Sequence, residues 1–73
     1  MVKEYMTVRE IAGPLILVGE VSGVKYEELV EVELPSGEVR RGRVLEVDED
    51  NALVQLFEGA TGVSVETARI RFL

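Results

Sequence analysis

Arg40-Arg41-Gly42-Arg43-Val44-Leu45-Glu46-Val47, then Asp48-Glu49-Asp50-Asn51, then Ala52-Leu53-Val54-Gln55-Leu56-Phe57-Glu58-Gly59 is the stretch on which the reading of this chain turns. Two apolar, β-branched runs are joined by four polar residues, the last an asparagine that tolerates left-handed backbone, and this pattern predicts a β-hairpin. Ala52, Val54 and Leu56 alternate with Leu53, Gln55 and Phe57, so both faces of the second run are largely apolar and it should lie inside a sheet.

The flanking segments supply partners for that hairpin. Tyr5 to Ala12 is β-prone and is broken by Gly13-Pro14, and Leu15 to Val21 opens with four consecutive apolar residues, as a strand covered on both faces does. Lys25 to Glu28 lacks period-2 alternation and reads as a connection. From Leu29 the alternation is clean, with Val30, Val32 and Leu34 on one face and Glu31 and Glu33 on the other. Leu34-Pro35-Ser36-Gly37 suits a type I turn, and pairing Leu34 with Val39 beyond it sets Glu33 opposite Arg40. That register places Arg43 on the apolar face unless one extra residue intervenes, so a β-bulge is expected at Arg41 and Gly42. A last strand, Ala68 to Leu73, follows the turn Gly59-Ala60-Thr61-Gly62.

The expected fold is therefore all-β: a small, closed, six-stranded and mostly antiparallel barrel with a bulged central hairpin, in one domain over residues 1–73. At 73 residues most apolar side chains must share a single core.

Composition excludes much chemistry. Cysteine and histidine are both absent, which removes disulfides, Cys/His zinc sites, thiol nucleophiles and the commonest general base. A formal net charge of −6 opposes nucleic acid and anionic membrane surfaces as partners. The longest apolar run, Leu15 to Val18, is far short of a bilayer span, and the N-terminus lacks a signal-peptide pattern, so a cytoplasmic location is expected. One Asn and one Gln beside abundant Glu and Arg is a thermophile-like balance.

The remaining motifs carry ordinary readings. Gly19 to Gly23 and Gly59 to Gly62 lack the Gly-Lys-Ser/Thr of a phosphate loop and open no predicted helix, so they read as turns and no nucleotide or other cofactor is expected. Glu46, Asp48, Glu49 and Asp50 lack the spacing of a calcium loop and read as a solvated hairpin tip, so no metal site is expected. Arg40, Arg41 and Arg43 could bind an anion, but Glu31, Glu33 and Glu38 on the paired strand region make internal charge pairing the better reading. No nucleophile and base are placed together, so no catalytic residue is named and the domain by itself is not expected to be an enzyme.

Ile11-Ala12-Gly13-Pro14-Leu15, Tyr26 to Val32, Arg40 to Val47, Val54 to Gly59 and Thr61-Gly62, in that order, resemble the N-terminal domain of the regulatory B subunit of archaeal-type and vacuolar-type rotary ATPases. Arg43 stands where that family usually has Gln, and Leu56 where Val is usual. The resemblance implies a barrel that packs beside neighbouring A and B subunits and holds their ring together in a proton-coupled ATP synthase or ATPase, at the end of the head away from the membrane. In the family this barrel leads into a nucleotide-binding domain and a helical C-terminal domain; both are absent from residues 1–73, so the resemblance carries no catalytic residue onto this chain. Leu15, Leu17, Leu53 and Phe57 are the candidate packing residues between subunits, and the isolated chain is expected to be a monomer. Two rival readings remain open from the residues alone: a small peptide-binding barrel, and an excised or redesigned barrel with no activity of its own.

Overall fold

The computed structural model describes residues 4–73. Seven strands form one antiparallel sheet: β1 (Glu4–Tyr5), β2 (Val8–Ala12), β3 (Leu15–Val18), β4 (Leu29–Glu33), β5 (Val39–Asp48), β6 (Asn51–Leu56) and β7 (Arg69–Phe72). Their order across the sheet is β1-β7-β4-β5-β6-β3-β2, and no helix occurs among the described residues. The expected six strands become seven because the Tyr5 to Ala12 segment is divided at Met6 and Thr7, its first part pairing with β7 and its second with β3. The sheet is thus a half-barrel whose two terminal strands are consecutive in the chain.

Alternation places the core. Val30 and Val32 of β4, Ile70 and Phe72 of β7, Ile16 and Val18 of β3 and Ala52, Val54 and Leu56 of β6 all face inward and are buried, joined by Val8, Val21, Leu34, Val44 and Ala68. No buried polar or charged side chain occurs among the described residues, so the interior is held by apolar burial and backbone ladders. Tyr5 completes one edge, its ring packed edge-on against Phe72 at a centroid distance of 5.6 Å.

Turn chemistry sets the registers. Gly13, at φ 59, leads a two-residue reversal with Pro14, so what reads as a kink is the tip of the β2–β3 hairpin. The strand expected over Leu15 to Val21 ends at Val18, since Glu20 turns into left-handed backbone at φ 55. Between β5 and β6 the left-handed residue is Glu49, at φ 54, rather than Asn51, which already pairs with Asp48.

The β4–β5 hairpin departs from expectation by one residue. Leu34 N donates to the Glu38 carbonyl at 2.9 Å, leaving a three-residue loop with Gly37 at φ 93. Val39 consequently lies opposite Glu33, Arg40 opposite Val32 and Arg41 opposite Glu31. The predicted bulge at Arg41 and Gly42 does not form, because pairing with β4 runs unbroken from Val39 to Arg43. In this register Gly42 rather than Arg43 faces inward opposite Val30, which removes the conflict the bulge was meant to relieve.

Gly42 answers a different demand. A methyl group on it would lie 2.9 Å from the Gln55 carbonyl carbon and 3.0 Å from Leu56 Cα, and closer still to the Gln55 oxygen, so the β5 and β6 backbones meet where a side chain has no room. The bulges fall elsewhere. Leu45 is the extra residue between Val44↔Val54 and Glu46↔Leu53, and it turns Glu46 outward. Arg9 is the extra residue between Val8↔Val18 and Glu10↔Leu17.

Candidate functional site

Outward-facing residues of β3 and β6 form the surface of interest. Leu15 and Leu17 alternate with the buried Ile16 and Val18, and Leu53 alternates with Ala52 and Val54. Antiparallel pairing sets Leu17 directly opposite Leu53 and Leu15 opposite Gln55, so three of the four predicted packing residues share one patch. All three leucines are half-buried. Phe57 lies apart, just past the end of β6, exposed to 60% beside Val39, Arg41 and Glu58.

Two shallow depressions meet on this patch. One, of about 200 Å³, is lined by Glu10, Ala12, Leu15, Leu17 and Leu53. The other, of about 610 Å³, is lined by Arg9, Leu17, Glu46, Val47, Asp48, Asp50, Asn51 and Leu53. Leu17 and Leu53 belong to both, which makes a continuous apolar floor with an acidic rim. The two bulges build that rim: the one at Leu45 places Glu46 outward across from Leu53, and the one at Arg9 places Glu10 outward across from Leu17. Val21 N donates to the Asp50 carbonyl at 2.9 Å, which ties the acidic hairpin tip to the loop after β3.

Pattern reading identified the leucines but assigned the acidic residues to a solvated tip. It had no signal that Glu10, Arg9 and Val47 would join them, because bulge positions depend on partner strands. Among the described residues no group of three or more metal-ligating side chains converges.

The opposite region of the sheet has its charges internally paired. Arg71, from β7, lies 2.8 Å from Glu33, 3.1 Å from Glu4 and 3.6 Å from Glu31. Arg41 lies 3.4 Å from Glu31, Arg43 3.9 Å from Glu27 and Arg69 3.9 Å from Glu4. Arg40 lies 2.8 Å from Glu38 and also donates through Nη1 to the Gly59 carbonyl at 3.2 Å. The Arg71 hydrogen bond holds the Glu33 carboxyl below its ordinary value, and the Arg40 hydrogen bond does the same to Glu38. The arginine cluster is therefore engaged with carboxylates, Glu27 standing where Glu33 was expected.

Residues 8–73 match the sequence model of the ATP synthase alpha/beta family, beta-barrel domain. The match covers all of the chain but its first seven residues, and the chain belongs to that family.

Proposed function

We propose that this member of the ATP synthase alpha/beta barrel family is the N-terminal barrel of a regulatory, non-catalytic B subunit of an archaeal-type or vacuolar-type rotary ATPase. The domain is structural. It binds laterally to neighbouring A and B subunits and so steadies the ring in which ATP synthesis or hydrolysis is coupled to proton movement. In that setting it lies on the cytoplasmic side, in the peripheral head, without membrane contact of its own.

The observation that carries this reading is the leucine floor on β3 and β6, an apolar strip on the outside of a domain whose core is already complete. Assignment to the regulatory rather than the catalytic type of chain rests on Arg41-Gly42-Arg43-Val44-Leu45-Glu46-Val47 and Gln55-Leu56-Phe57-Glu58-Gly59, which fall on and just beyond the β5–β6 hairpin. The role calls for a six-stranded barrel, and the pairing of β1 with β7 and of β2 with β3, from one short segment of chain, supports that reading.

A single-cysteine variant tests it, because these 73 residues carry no cysteine and any elsewhere in the regulatory chain can be replaced by serine. Leu53→Cys, made in the regulatory chain of a reconstituted head, should react readily with a thiol reagent when free and be protected on assembly. Equal labelling in both states would overturn the reading.

A further inference from the structure

We propose that the leucine strip of β3 and β6 docks a neighbouring protein surface that is apolar at its centre and rimmed by lysine or arginine, and that a second copy of this chain is not its occupant. This rests on the lateral packing proposed above and specifies the chemistry of the partner.

Charge is segregated across the molecule in a way that overall composition does not show. On and beside β1, β4, β5 and β7, the arginines Arg40, Arg41, Arg43, Arg69 and Arg71 each lie within 4 Å of one or more of Glu4, Glu27, Glu31, Glu33 and Glu38. Those five arginines and five glutamates balance and are engaged with one another. Around the leucines the balance is different. Glu10, Glu46, Asp48 and Asp50 line the two depressions and make no ion pair among the described residues, with Arg9 the one cation of the lining.

Covering the leucines would bring any partner's rim against those carboxylates. A neutral or acidic rim leaves them desolvated or repelled, whereas a basic rim pairs them, and such complementarity sets both partner choice and encounter rate. A second copy brings its own acidic rim, or a basic face already neutralised by its own glutamates. The chain is accordingly one half of a hetero-pair.

Nuclear magnetic resonance titration of the whole chain tests this with two capped tetrapeptides, Lys-Leu-Leu-Lys and Glu-Leu-Leu-Glu. The lysine peptide should shift resonances over Glu10 to Leu17 and Glu46 to Leu53, bind about tenfold more tightly than the glutamate peptide, and weaken as salt rises from about 0.02 M to about 0.5 M. In Asp48→Asn/Asp50→Asn, whose fold is checked by its own spectrum, the preference for lysine should fall while binding through the leucines persists. Equal response to the two peptides, or shifts centred on β4 and β7, would overturn the proposal. A second titration uses the purified catalytic A chain of a rotary ATPase. Binding to it with a footprint away from the leucine strip, or with no loss at high salt, would refute the proposal and leave the lateral-packing role standing. Discrimination between the peptides without any response to the catalytic chain would support the basic-rimmed docking surface and remove the rotary-ATPase role.

Discussion

Replacing Gly42 by alanine should destabilise the protein by about 2–4 kcal/mol, and the structure shows where that cost arises. The added methyl would sit 2.9 Å from the Gln55 carbonyl carbon and 3.0 Å from Leu56 Cα, both of them main-chain atoms of the neighbouring strand. Rotamer changes cannot relieve a clash with backbone, so β6 must retreat from β5. Overpacking of this kind costs about 1–3 kcal/mol. Retreat also strains the pairing of Gly42 with Leu56 and the 2.9 Å bond from Phe57 N to the Arg41 carbonyl, at about 1 kcal/mol for each hydrogen bond weakened. Against this, alanine gains back up to about 1 kcal/mol of glycine's unfolded-state entropy. For a domain of this size the net loss lowers the thermal midpoint by about 10–25 °C. Calorimetry or circular dichroism melts read it directly, with Gly13→Ala as the comparison. Gly13 has φ 59 but open space around its Cβ position, so that variant should lose only the left-handed conformational cost, about 1–2 kcal/mol. A Gly42→Ala protein within about 0.5 kcal/mol of the parent, or no less stable than Gly13→Ala, would refute the close-approach argument.

Two further outcomes are expected. Glu33 has its carboxyl lowered from the ordinary 4.5 by Arg71, so its folded value lies below its unfolded one; the pair stabilises above about pH 4.5, and that contribution is lost as pH falls through the folded value. Arg71→Met should therefore flatten the decline of the urea midpoint on acidification below about pH 4.5, most visibly at low salt, and parallel curves for parent and variant would contradict this. The isolated chain should be monomeric at micromolar concentration, with weak self-association that strengthens with salt as the −6 net charge is screened, and light scattering showing a closed ring at low salt would count against it.

Much of this molecule follows from local pattern. Alternation alone separates Val30 and Val32 from Glu31 and Glu33, and Ile70 and Phe72 from Arg69 and Arg71, because a strand with one buried face must show period 2. Gly and Pro punctuation marks the strand boundaries, and Leu15, Leu17 and Leu53 stand out as apolar residues beyond what the inward face needs. Register is another matter. One residue more or less in the Leu34 to Glu38 turn decides whether Gly42 or Arg43 faces inward, and a turn's closing bond depends on how both strands pack. The bulges at Arg9 and Leu45 likewise exist only in relation to β3 and β6. They turn Glu10 and Glu46 toward the leucines, so the acidic rim of the leucine strip is a product of tertiary pairing between strands distant in sequence. Local propensity acts on a residue and its near neighbours, whereas which carboxylates gather around which leucines is settled by long-range contacts that no single segment encodes.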